Sequence, residues 1–203
     1  MSGIGKSHLS RLLAARGWRW HDCDREIAAR IAVTLPVAAG DQPVHALGRW
    51  MGMPWTPGYS ERERRYLDLE AEVTREALAA ALAEATTPQV IDATGSVIYL
   101  DRDLLDALHL ECTVVYLRAP EDEREALLAL YLREPKPVVW GGAFTAARDQ
   151  TPEAALPRSY TRLLDERDRG YTALAHITLG AKDLRSDDPV QHLLGALRTH
   201  LGP

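Results

Sequence analysis

The stretch Gly3-Ile4-Gly5-Lys6-Ser7 contains the Gly-Lys-Ser that ends a phosphate-binding loop of the form G-x-x-x-x-G-K-[ST]. Backbone N–H groups of such a turn, at a helix N terminus, point at an anion together with the positive end of the helix dipole. Lys6 would reach the terminal phosphates and the Ser7 hydroxyl a divalent cation. Asp22 and Asp24, separated by one residue in "WRWHDCD", fall on the same side of an extended segment, so one is placed for a metal and the other for a hydroxyl. Asp92 follows the apolar pair Val90-Ile91 in "VIDATGS"; an acid leaving the carboxyl end of a buried strand points into the crevice where α/β sheets bind ligands and can hold a metal-bound water. Gly95 lets backbone approach a ligand closely. Each feature has a plainer alternative: a solvated lysine, a capping aspartate at Asp24, a strand-to-helix turn at Asp92.

The elements that must position these residues follow from periodicity. Leu9, Leu12 and Leu13 predict an amphipathic helix ending at Arg16-Gly17. Strands are expected from Trp18 to Asp22, Gln89 to Asp92, Thr113 to Leu117 and His176 to Leu179. The longest helix is expected over Glu61 to Glu84, with Tyr66, Leu69, Val73, Ala77, Leu78 and Leu82 on its apolar face. Helices are also expected in "REIAARIAV", in "DRDLLDALHL", in a segment opened by Pro120 and Glu121, from Glu153 past Pro157 and in "DPVQHLLGALRTHL". Alternating strands and helices predict an α/β domain with a parallel sheet. The strand that normally feeds a phosphate loop is not found, nor is the loop's first glycine, so the fold is expected without its first strand. Residues 33–62, rich in Pro, Gly and Trp, read as a substrate-side insertion, and residues 133–150 as a lid too broken by Pro and Gly for a core element.

The 203 residues suit one buried domain. A net charge of -5 leaves no basic field for nucleic acid. Only Lys6, Lys136 and Lys182 are lysines, so a lysine at a motif position carries weight. Cys23 and Cys112 are too few and too distant for a disulfide framework or zinc, the histidines lack paired spacing, and no stretch reads as a signal or a span. A cytoplasmic location, no membrane partner, and a monomer or weak dimer are expected.

In order along the chain, "SGIGKS", "HDCDREI", "VIDATGSVI", "VVYLRAP", "REPKPVV" and "ERDRGYTALAHI" resemble the shikimate kinase family. The resemblance runs from Met1 to about Leu179 and lies in the ordered combination. It implies a three-layer P-loop kinase fold, a parallel sheet flanked by helices, in a single kinase-like domain over residues 1–203. It also implies transfer of the γ-phosphate of ATP, with Mg²⁺, to a hydroxyl of a small acid, shikimate first. Gly3, Gly5, Lys6 and Ser7 then form the ATP loop, and Asp22 and Asp24 match a D-x-D whose second acid anchors the acceptor hydroxyl. Asp92 and Gly95 match the second nucleotide motif. Lys136 stands where a lid arginine covers ATP, with Arg133 beside it. Arg167, four residues before Tyr171, matches the arginine that pairs with the substrate carboxylate through a two-bond fork. On this reading Lys6, Asp24 and Lys136 are catalytic, Ser7, Asp22 and Asp92 serve the metal, and Asp24, Gly95 and Arg167 hold the acceptor.

Two departures bear on specificity. The family's glycine run is here Gly95-Ser96-Val97, and the arginine of its F-R-x-x-E pattern is Leu67 in "YLDLE". A kinase for another hydroxy acid or sugar acid, and a nucleotide-binding protein without turnover, are the alternatives. A surface role for Arg167 among Asp165, Glu166 and Asp168 is the plainer reading of that residue.

Overall fold

A computed structural model describes residues 4–32, 43–84, 86–133, 136–180, 184, 185 and 188–202. Gly3, residues 33–42 of the insertion and residues 134 and 135 of the expected lid lie outside the described residues. The chain is a mixed α/β protein, mostly helical. In order it forms α1 (Lys6–Ala14), β1 (Arg19–Asp22), α2 (Cys23–Ala32), α3 (Pro43–Met51), α4 (Tyr59–Ala83) and β2 (Gln89–Asp92). α5 (Arg102–Glu111), β3 (Val115–Arg118), α6 (Arg124–Arg133), α7 (Pro152–Leu174), β4 (Ile177–Gly180) and α8 (Pro189–Leu201) follow. No described helix is long and apolar enough to cross a membrane.

Local chemistry sets the helix starts. Asp101 accepts the Leu104 N–H at 2.9 Å and opens α5; Thr151 accepts the Ala154 N–H at 3.2 Å, with Pro152 beginning α7. Asp188 and Pro189 open α8 in the same way. α1 has no side-chain cap: Gly5 precedes it at φ 101°, a left-handed conformation open to glycine and costly for other residues. At α2 the expectation is corrected. The strand ends at Asp22, whose carboxylate accepts the Arg25 N–H at 3.0 Å, so the helix begins at Cys23 and Asp24 sits in its first turn. The two acids are therefore not alternate residues of one extended segment.

The strands pair in parallel as two separate two-stranded ladders, β1 with β2 (Asp22 opposite Asp92) and β3 with β4 (Val115 opposite Ile177). The α/β organisation holds, whereas one continuous sheet is absent among the described residues. The largest apolar cluster joins α2 (Ile27, Ile31), α3 (Leu47, Met51), α4 (Tyr66, Val73) and α7 (Leu163). Each such fully buried aliphatic side chain contributes about 1.5–3 kcal/mol relative to an exposed one.

Val139, Trp140 and Ala143 belong to that cluster and are almost fully buried. The Tyr59 hydroxyl donates to the Val138 carbonyl at 2.8 Å, and the Trp140 N–H donates to the Glu63 carboxylate at 2.6 Å. The segment read as a lid is thus anchored in the core at its centre, because its Val-Val-Trp run outweighs its glycines and prolines. In α4, Leu82 is exposed, while Glu70 and Thr74 are buried among the apolar positions.

Candidate functional site

A cavity of about 620 Å³ opens at the carboxyl ends of β1 and β2, where ligands bind in open α/β architectures. One wall begins with Gly5, Lys6 and Ser7 at the first turn of α1. Burial of Leu9 and Leu13 beneath α1 fixes that turn against the strands. The Lys6 ammonium donates to Asp92 Oδ1 and stands 3.6 Å from Asp24 Oδ2. Burial works against its charge, yet Asp24 and Asp92 outweigh it and hold the pKa of Lys6 above that of a free lysine. Asp92 is buried at the end of β2, and its Oδ2 meets no hydrogen-bond partner among the described residues. Asp22 lines the same wall; burial raises its pKa against the opposing Arg25 N–H.

The opposite wall is built from α4, the turn after β2 and α7. Arg167 is 6% exposed, which overturns its reading as a surface arginine. The neighbouring acids are engaged elsewhere: Asp165 with Arg124 at 2.5 Å and Asp168 with Arg118 at 2.9 Å. Arg167 donates to the Val139 carbonyl at 2.8 Å and lies 5.9 Å from the Tyr99 ring centroid. Its Nε has no partner, and no ion pair to it is found among the described residues. A buried guanidinium so placed is matched to an anion entering the cavity. Gly95 lines this wall, and its carbonyl accepts the Tyr171 hydroxyl at 2.5 Å.

Next to Ser96, which lines the cavity, lies a buried group that motif reading missed. The Glu70 carboxylate, fully buried on α4, accepts hydrogen bonds from the Thr94 and Ser96 hydroxyls, which are 3.1 Å apart. Burial pushes its pKa up to about 7 against those two hydroxyls, and Asp24 adds to the rise. Tyr66, one turn earlier, donates to Asp24 at 3.5 Å and is itself raised well above the ordinary phenol, chiefly by burial. The sequence carried a signal: Glu70 lies four residues after Tyr66 and three before Val73, a carboxylate on the apolar stripe of a helix. A buried acid at such a position requires partners, and the Thr94 and Ser96 that flank Gly95 supply them.

Lys136 lines the cavity, as do Arg11 and Arg25, which motif reading also missed. Among the described residues, five cationic side chains, Lys6, Arg11, Arg25, Lys136 and Arg167, and two acids, Asp22 and Asp24, line the cavity. In a chain of net charge -5 this focuses positive potential on one site. Arg133 ends α6, is exposed, and is not among the residues lining the cavity. No tryptophan lines it either; its aromatics are Tyr66, Tyr131 and Tyr160. Cys23 is buried next to Lys6 and Asp24, and burial pushes its thiol up to about 12.

Among the described residues no group of three His, Cys, Asp or Glu side chains is arranged to hold a metal by itself. Mg²⁺ bound with phosphates needs only one or two carboxylates, and Asp92, opposite Asp22 in the β1–β2 ladder and with an Oδ2 that meets no partner among the described residues, fits that mode. No protein-family model and no curated protein sequence matches the chain.

Proposed function

We propose that the chain is a small-molecule kinase of the shikimate kinase type, with a P-loop α/β fold, that transfers the γ-phosphate of ATP to a hydroxyl of a small carboxylic acid. One observation carries this reading: Gly5-Lys6-Ser7 at a helix N terminus, Asp24 at the centre and the buried Arg167 all meet in a single cationic cavity. The helix terminus and Lys6 supply a phosphate site, and Arg167 supplies a carboxylate site on the other side of Asp24.

On this reading ATP lies on the first turn of α1 and the acceptor lies between Asp24 and Arg167. Lys6 has three N–H donors, of which Asp92 takes one, leaving others for the transferring phosphoryl oxygens. Lys136 adds positive charge on the cavity rim. Asp24 accepts the acceptor hydroxyl as a hydrogen bond and orients it in line with the γ-phosphorus. The acceptor oxygen bonds to that phosphorus, the bond to the bridging oxygen of ADP breaks, and the hydroxyl proton passes to Asp24. Ser7, Asp22 and Asp92 would hold Mg²⁺, which when bound neutralises phosphate charge. Catalysis is positioning and charge stabilisation, so the preset placement of these side chains is the main contribution. The chain would act on a soluble metabolite in the cytoplasm.

A coupled ADP-release assay across hydroxy acids, shikimate included, tests the reading. Acceptor-dependent ADP release is expected, and Lys6→Ala should lower kcat by about a hundredfold or more. Release that survives Lys6→Ala unchanged would exclude this mechanism. A second reading, nucleotide binding without turnover, is favoured by one observation: Lys6 is held by two carboxylates. Calorimetric binding of ATP with no ADP release for any acceptor would select it.

A further inference from the structure

Glu70, which the transfer itself does not use, is fully buried, and among the described residues its hydrogen-bond partners are the Thr94 and Ser96 hydroxyls. Ser96 lines the cavity next to Gly95, so the direction of its proton decides what the cavity offers a ligand there. A hydroxyl carries one proton and an ionised carboxylate none. While Glu70 is ionised, both hydroxyl protons point at it, and Ser96 has only lone pairs left, which repel an anion. When Glu70 is protonated, its own proton makes the contact to Ser96 Oγ, and the Ser96 proton is released. That proton then has the Thr94 oxygen, 3.1 Å away, or an anion in the cavity as its acceptor.

The charges around Glu70 favour the same exchange. Burial raises its pKa to about 7 against the pull of the two hydroxyls; Asp24 on α2 adds to the rise and Arg167 on α7 opposes it. The other titratable groups that face it, Cys23 on α2, Tyr66 on α4 and Tyr171 on α7, are pushed up by burial and stay neutral near neutral pH. An acid seated on Arg167 takes up the charge that supports ionised Glu70 and brings a second negative charge close to it. Both effects drive a proton onto Glu70. We propose that an acid enters this cavity together with a proton taken up by Glu70, and that Ser96 thereby turns to donate to the bound anion. This coupling rests on the reading of Arg167 as a carboxylate site, but not on phosphate transfer. The proton comes from solvent, and the only covalent bond formed is the Glu70 O–H. Glu70 is then a positioning residue, because it reaches the ligand through Ser96. Well below about pH 7 Glu70 already carries the proton and binding takes up none; above it, binding takes up a proton and affinity falls as pH rises.

Calorimetric titration of the 203-residue chain with shikimate and with benzoate, each in two buffers of different ionisation enthalpy, measures the uptake directly. Benzoate has no alcohol, so its result is independent of Asp24 as the partner of an acceptor hydroxyl. Uptake should exceed about half a proton per acid at pH 8 and be almost nil at pH 5.5, and Kd should rise about tenfold between pH 6 and pH 8.5. Glu70→Gln, whose amide keeps an acceptor and a donor for the two hydroxyls, should abolish the uptake and retain the low-pH affinity at pH 8.5. Should that variant fail to fold, the carboxyl ¹³C resonance of Glu70 in the parent chain answers the same question: its titration midpoint should move up by about one pH unit or more when benzoate is bound. Binding without proton uptake, uptake unchanged in Glu70→Gln, or a midpoint that does not move overturns the coupling and leaves the carboxylate site standing. Absence of saturable binding for both acids overturns the carboxylate site, and the coupling with it.

Discussion

The two walls of the cavity hold charge in opposite ways. On the α1 side, Lys6 and Asp24 are each about one-third exposed and are held by other charges, in a Lys6–Asp92–Asp24 cluster. On the α4/α7 side, Arg167 and Glu70 are almost fully buried and are held by neutral groups: a carbonyl for the guanidinium, two hydroxyls for the carboxylate. Ion pairs near water exchange partners at small net cost, since their gain over hydration is slight. Buried charges on fixed dipoles do not, because each has given up its water and depends on geometry. The first wall is suited to a ligand that brings its own charge and counterion, such as a metal-bound phosphate. The second is a fixed template, suited to selecting one small acceptor.

Breaking the template should have the largest effect. Arg167→Met removes a buried charge that has no carboxylate partner among the described residues, so Tm should stay level or rise, whereas acceptor KM should rise by about a hundredfold. A fall in Tm of several degrees would mean that Arg167 serves the fold and not a ligand. On the exchangeable wall the effect should be smaller and depend on the metal. ATP should raise the melting temperature of the parent chain, and Asp92→Ala should weaken that protection about tenfold in affinity, or ~1.4 kcal/mol, only with Mg²⁺ present. An equal loss without Mg²⁺ would count against the metal role of Asp92.

The smallest effect concerns Glu70 and has a defined sign. Its pKa rises from 4.5 to about 7 in the fold, so the folded state favours the protonated carboxyl. That contribution to stability is fully present below about pH 4.5 and is lost as pH rises through about 7. The parent chain should therefore lose more Tm between pH 5 and pH 8 than Glu70→Gln, which cannot ionise. Parallel curves for the two proteins would show that Glu70 is not held as described.

Much of this organisation is legible in the residues. Helix starts at Asp101, Thr151 and Asp188 follow from side chains that accept a backbone N–H three residues on, a local interaction. The four strands follow from short apolar runs bounded by turns. Lys6, Asp22, Asp24 and Gly95 could be named from motif spacing, Lys136 and Arg167 from the resemblance to the shikimate kinase family, and all line one cavity. Glu70 was harder to name because its partners, Thr94 and Ser96, lie more than twenty residues away. The anchoring of residues 138–143 was hidden for a similar reason: Tyr59 and Glu63, which hold the segment, belong to a distant helix.

The sequence by itself determined the elements, their order and the residue types able to bind phosphate and carboxylate, because propensity, capping and periodicity act over a few neighbours. Tertiary structure alone decided that Arg167 is buried with no carboxylate partner among the described residues, that Asp22 caps α2 while Asp24 faces Lys6, and that the described strands form two separate ladders. Desolvation, ion pairing and strand pairing depend on which distant groups share a volume, and no local rule specifies that.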